Sequence, residues 1–216
     1  MELFAIVNLG SPDIGLIIDG LKITLIISLW TAVIALPLGI LLGVMRSSKN
    51  KYIRWPAATY IELIRSLPLV LYMVMIFLTL PIGAESRGIL TLSTFTAAYI
   101  AEIVRGGLKS IDKNQLKAGY SLGMKTHQVI LKIAIPQAVT RMIPALVNQF
   151  NVVIKDTSLV SIGLLELTKA GKILSERKPM YSMEIILVIA AIYFIICYGL
   201  SILGHHFEKK YAERCK

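Results

Sequence analysis

Residues 23–45 read ITLIISLWTAVIALPLGILLGVM, and this stretch decides the class of fold. A helix needs about 20 largely apolar residues to cross the hydrocarbon core of a bilayer. The run meets that requirement without a single charged residue. It is also too long for the apolar core of a cleavable signal, and the residues before it lack the basic start of one, because Glu2 and Asp13 are acidic. It is therefore expected to be retained as a membrane span.

Further spans follow outward from it. Residues 57–82 are apolar, with Glu62, Arg65 and Pro68 interrupting their first half; Pro68 should kink or break the helix there. Residues 89–104 form a shorter stretch rich in small residues, with Thr94, Thr96, Ala97, Ala98 and Ala101, the kind that lets helices approach closely in lipid. Residues 139–154 carry Asn148, Gln149 and Asn151 and should face other helices. Residues 183–203 are cleanly apolar. The expected fold is an all-α membrane protein with about five transmembrane helices, organised as one domain over residues 1–216.

The composition agrees. The 216 residues are 56% hydrophobic and 17% charged, whereas soluble domains lie nearer 45–50% apolar. A net charge of +10 in a soluble chain would suggest nucleic acid. Here the cations lie between apolar runs, so no nucleic-acid partner is expected. Arg46, Lys49, Lys51 and Arg54 follow the first span. Arg105, Lys109, Lys113, Lys117, Lys125, Lys132 and Arg141 surround the third loop, and Lys209, Lys210, Arg214 and Lys216 close the chain. All fall on one side if the N-terminus is outside and the C-terminus inside, as the excess of Lys and Arg in cytoplasmic loops requires. The stretch 166–178 fits less well, since it must then be outside while carrying Lys169, Lys172, Arg177 and Lys178.

The third inner loop, residues 106–137, is too long and too patterned for a simple connection. Asp112 or Asn114 is suited to cap a short helix through Gln115 to Ala118, and Gly123 to end it. Thr126 is suited to cap a second helix with Val129, Ile130 and Ile133 on one face, and Pro136 to end that helix or begin the next. Two short helices in this order make an elbow shaped for docking.

No enzyme is expected. The sequence holds no H-E-x-x-H and no phosphate-binding G-x-x-x-x-G-K-[ST]. Cys197 and Cys215, with His127, His205 and His206, suggest neither a disulfide framework nor a metal site, and no cofactor is expected. If ATP drives this protein, another chain must hydrolyse it. The polar groups inside spans are the default functional candidates. Asn148, Asn151 and Lys155 stand at i, i+3 and i+7 and share one helix face. They are read either as contacts for a zwitterionic or acidic solute, or as amides bonding between helices with Lys155 paired to Asp156. Glu62 with Arg65, and Glu102 with Arg105, each at i, i+3, read as structural ion pairs near the interface.

From Tyr99 the chain reads YIAEIVRGGLKSIDKNQLKAGYSLGMKTHQVILKIAIPQA. This resembles the cytoplasmic signature of binding-protein-dependent ABC permeases, an E-A-A segment with a glycine four residues on and an I-x-x-P-type ending. Ala118 matches the first alanine, Gly123 the glycine, and Ile135-Pro136 the ending. Lys117 stands where the family has glutamate, and Gly119 where it has the second alanine. IRSLPLV at 64–70 and KDTSLVS at 155–161 are similar to two further motifs of the polar amino-acid permeases, those for glutamate, aspartate or glutamine most of all.

The resemblance implies a type I importer permease in the bacterial inner membrane. Two such subunits, identical or paralogous, would form the pore for an amino-acid substrate. Two cytoplasmic ATPase subunits would dock on the elbow through Lys117, Ala118, Gly119, Gly123 and Met124, and an extracytoplasmic amino-acid-binding protein would deliver the solute. Two other readings stay open on the residues alone: a subunit of a secondary transporter or channel without ATP, and an assembly subunit with no pore. No inverted repeat of the kind secondary transporters use is visible.

Overall fold

The computed structural model describes residues 10–212, with side chains as far as His206. Glu2, Arg214, Cys215 and Lys216 therefore lie outside the described residues, as do the side chains of Lys209 and Lys210. All regular structure among the described residues is helical. In chain order the α-helices are α1 (Ser11–Ser47), α2 (Lys51–Ser66), α3 (Leu69–Thr79), α4 (Ala84–Lys109), α5 (Lys113–Ser121), α6 (Thr126–Val129), α7 (Ile135–Asp156), α8 (Leu167–Arg177) and α9 (Ser182–Ala212).

The first expected span lies within α1, which has Asp13 in its first turn and Arg46 in its last, the charge order that the helix dipole favours. The second is not one rod. Proline lacks an N–H and disfavours helical backbone in the residue before it, so α2 stops at Ser66 and α3 starts after Pro68, bent from it by 103°. The third becomes α4, longer than residues 89–104 at both ends. Three helical stretches, Ser11–Ser47, Thr126–Ile162 and Pro179–His206, are long and apolar enough to cross a membrane, and the bent α2–α3 pair makes a fourth if it counts as one. Helix α4 is long enough but less apolar, and its Thr91, Ser93 and Thr96 are buried rather than turned outward.

The second elbow helix differs from the expectation of a short, separate element. Lys125, not Thr126, is its N-cap. From Thr126 the chain runs through α6, a π-helical turn at Ile130–Ala134, α7 and a 3-10 turn at Thr157–Ile162 as one helical stretch. The π turn explains how Pro136 is accommodated. The Ile135 N–H bonds back to the Ile130 carbonyl, five residues earlier, which loosens the turn where the proline ring meets the preceding carbonyls.

The chain packs as two compact units. One comprises the described residues up to Ile34, with Leu67–Ser93 and Phe150–Leu200. Its apolar packing has two centres: Ile17, Leu167, Leu174, Ile185, Val188 and Ile189 form one, and Ile27, Met73, Leu92 and Val160 the other. The other unit comprises Ala35–Ser66, Thr94–Gln149 and the chain from Ser201. There Gly39 and Gly43, one helical turn apart on α1, lie directly against α4. A Cβ on Gly43 would stand 2.7 Å from the Ala101 carbonyl oxygen and 2.7 Å from Val104 Cβ, so only glycine lets these backbones approach.

Candidate functional site

The elbow is built by local chemistry. The Asp112 carboxylate accepts from the Asn114 N–H at 2.8 Å and caps α5. At the other end Gly123 adopts φ +75°, its N–H donating to Tyr120 O at 3.0 Å while the Met124 N–H donates to Gly119 O at 3.2 Å. These two bonds are the Schellman closure, which satisfies the last carbonyls of α5 and needs the left-handed region that glycine reaches without penalty. On the far side of the turn the Gln128 side chain accepts from the Lys125 N–H at 2.9 Å. The turn is thus held at three points.

Of the five elbow residues singled out in the sequence, Lys117, Ala118 and Gly123 are exposed, Met124 is half-buried and Gly119 is buried. At Gly119 a Cβ would stand 2.7 Å from Ile133 Cδ1 and 3.2 Å from Val129 Cγ2, so an alanine there would require the tip of the Ile133 side chain to shift. The outer surface combines cations with apolar tips: Lys113, Lys117, Lys125 and Lys132 are exposed, as are Tyr120, Ile130, Leu131 and Leu122, the last 82% exposed.

A charge network joining α1, α2 and α4 is centred on Glu102. Arg105 holds that carboxylate bidentately at 2.9 and 2.8 Å, Arg46 reaches it at 3.0 Å and Arg65 at 3.6 Å. The expected Glu102–Arg105 pair is therefore present. The expected Glu62–Arg65 pair is not: Glu62 bonds Arg46 at 2.9 Å and Arg65 turns to Glu102. An i, i+3 spacing allows a pair, but a guanidinium sixteen residues away offers the better partner. The Arg141 guanidinium also donates to the Ser110 carbonyl, tying α7 to the loop that leads into α5.

The polar stripe on α7 divides. Asn151 is buried at 7% exposure, while Asn148 and Lys155 are exposed. The three do not form one buried patch. A polar centre that the sequence did not reveal lies further along the chain. Glu166, fully buried, caps α8 by accepting from the N–H groups of Thr168 and Lys169, each at 2.7 Å, and from the Tyr193 hydroxyl at 3.0 Å. Burial pushes its carboxyl above the ordinary glutamate range, against these three bonds. Thr24 Oγ1 accepts from the Leu167 N–H at 3.1 Å beside it. Its only sequence signal was a glutamate three residues before Lys169 at a helix start, which the basic character of 166–178 concealed.

Among the described residues, helices long and apolar enough to cross a membrane stand on either side of an exposed, capped elbow, which is the build of a membrane protein. Residues 35–213 match the family described as binding-protein-dependent transport system inner membrane component, and the chain belongs to that family. It is similar to a probable glutamine ABC transporter permease protein, GlnP, of Bacillus subtilis (strain 168), being 36% identical over 198 residues that cover 88% of this chain and 91% of that one. It is 33% identical to the glutamate/aspartate import permease protein GltK of Escherichia coli O157:H7, covering 93% and 96% of the two chains. Among solved structures it superposes on an amino acid ABC transporter, crystallised with histidines, with a TM-score of 0.83 at 34% identity, over 91% of this chain and 94% of that one. The inward-facing MetNI methionine ABC transporter, at 20% identity and a TM-score of 0.75, shares the fold. The membrane component of such systems is not itself an enzyme.

Proposed function

We propose that the chain is the pore-forming subunit of an ATP-driven importer for a polar amino acid, either glutamine or an acidic amino acid such as glutamate or aspartate. The substrate class rests on the relatives named for glutamine and for glutamate/aspartate, which match over about nine-tenths of this chain. The observation that carries the mechanism is the elbow: a helix capped at both ends, with Leu122 at its exposed tip and lysines around it.

In this reading the whole chain acts as one permease domain in the bacterial inner membrane, with its N-terminus outside and its C-terminus inside. It pairs with a second permease subunit, identical or paralogous, and two cytoplasmic ATPase subunits receive the elbow in an apolar groove with an acidic or neutral rim. ATP-driven closure of the ATPases moves the elbow. Because α6, the π turn and α7 form one helical stretch, that motion reaches the span directly rather than through a slack loop. A binding protein outside supplies the amino acid. Asn148, Asn151 and Lys155 line the path, the exposed Lys155 favouring anionic solutes.

Co-expression with the ATPase encoded nearest in the genome tests the docking. Wild-type protein should retain the ATPase through purification, and Lys117→Glu should lose it in a salt-dependent manner. A permease that holds no ATPase under any salt condition would return the channel or secondary-transporter reading to first place.

A further inference from the structure

At one end of the unit that carries the elbow, a cleft of about 500 Å³ opens among the last residues of α1, the first turns of α2 and the last turn of α4. Its lining includes Arg46, Ser47, Arg54, Arg105 and Lys109, and no carboxylate among the described residues. Arg46 and Arg105 are engaged by Glu102 on their other side. Arg54 and Lys109 are exposed, and neither takes part in an ion pair among the described residues. Two anchored guanidiniums and two unneutralised cations around one hollow suit a phosphate group, which arginine holds in a bidentate fork.

A second observation, independent of charge, says where that phosphate comes from. On α2, Tyr52 is 78% and Trp55 75% exposed, and with Lys51 and Pro56 they line a second hollow of about 380 Å³. Lys51 Nζ stands 5.4 Å over the Tyr52 ring. At 100° per residue, Tyr52 and Trp55 occupy the face of α2 next to the one carrying Arg54 and Ala58, with Lys51 between. Two such aromatic rings left bare on one helix mark the headgroup level of a bilayer. Cationic and apolar hollows on adjacent faces of one helix match a phosphate and the glycerol and upper acyl region attached to it.

We propose that this cleft binds the headgroup phosphate of an anionic phospholipid, through Arg54 and Lys109 with Arg46 and Arg105, while Tyr52 and Trp55 receive the apolar part of the same molecule. The proposal rests on the membrane reading of the chain and is independent of which amino acid is transported. A free phosphate or nucleotide would engage the cations alone. An acidic segment of a protein partner is the remaining occupant.

Native mass spectrometry of the purified full-length chain, with the subunits that accompany it, tests this. The delipidated protein is incubated with phosphatidylglycerol or phosphatidylcholine at equal concentration. The proposal predicts retention of phosphatidylglycerol over phosphatidylcholine. Arg54→Gln and Lys109→Gln should each lower that retention about fivefold, and the double variant about thirtyfold. Tyr52→Ala with Trp55→Ala should lower it too, and Lys117→Gln, on the elbow, should leave it unchanged. Equal retention of the two lipids would overturn the proposal, as would indifference to the double variant. Displacement by millimolar inorganic phosphate, with no effect of the aromatic variants, would make the cleft a free-anion site. Loss of the ATPase from the double variant at unchanged lipid retention would make it a protein surface. Transport of amino acid is read separately, so failure of the lipid result leaves the proposed function standing, and the reverse holds too.

Discussion

Glu166 and Glu102 are both drawn into the packing of their respective units, but they are held in opposite ways. Glu166 is satisfied by neutral donors: two backbone N–H groups at the start of α8 and the Tyr193 hydroxyl. Glu102 is shared among three arginines from α1, α2 and α4. The first arrangement fixes one local turn through directional bonds. The second ties three helices by charge, beside the cationic cleft that Arg46 and Arg105 also line. The difference teaches that this chain uses charge where segments are cross-linked and hydrogen bonds where a helix start is set.

That contrast is broken or sharpened most strongly at Glu102. Glu102→Ala leaves three guanidiniums with Glu62 alone and should cost about 2–3 kcal/mol, between the scale of an exposed pair and that of a buried one. Detergent-solubilised variant protein should elute as aggregate at temperatures where wild type remains monodisperse. Wild-type melting would reduce the network to surface decoration. Glu166→Ala comes next, at about 1–2 kcal/mol from the lost cap. Glu166→Gln keeps an acceptor oxygen and should lose less. Neither loss should vary between low and high salt, whereas the stability that Glu102 contributes should decline as salt rises. A salt-sensitive Glu166 and a salt-indifferent Glu102 would invert the comparison.

The elbow variants are expected to act on coupling more than on stability. Nothing stands within 4 Å of a Cβ at Gly123, so only its positive φ resists substitution. Gly123→Val should strain the turn by about 1–2 kcal/mol and separate ATP hydrolysis from uptake, while Gly123→Asn, which tolerates the left-handed region, should transport near normally. Equal behaviour of the two would remove the backbone argument. The smallest effects are expected on the α7 stripe. Asn148→Ala and Asn151→Ala should alter apparent transport affinity at near-normal expression, and Lys155→Gln should harm uptake of acidic solutes more than neutral ones. Loss of membrane abundance in step with transport, at unchanged selectivity, would make the stripe packing.

Much of the fold was legible because its signals are local. The apolar run at 23–45, the cap at Asp112, the break at Pro68 and the turn glycine at 123 each rest on a few neighbouring residues. What the sequence concealed depends on partners far along the chain. Nothing near Glu62 indicates that Arg46 outcompetes Arg65. Nothing near Glu166 indicates that Tyr193 reaches it from α9. The π turn at Ile130–Ala134 escaped because Pro136 reads locally as a helix end, whereas one wider turn lets the helix continue. The three-residue stripe on α7 shared a face by spacing, yet packing took Asn151 in and left Asn148 and Lys155 out.

Reconstitution of the permease with its genomically adjacent ATPase and binding protein in liposomes tests the central claim most directly, with labelled glutamine, glutamate and aspartate outside together with the binding protein, and ATP sealed inside. The account predicts accumulation of at least one of the three that requires ATP, requires the binding protein, and collapses in Gly123→Val while ATP is still hydrolysed. Accumulation driven by an ion gradient in the absence of ATP, or full accumulation in Gly123→Val, would contradict it.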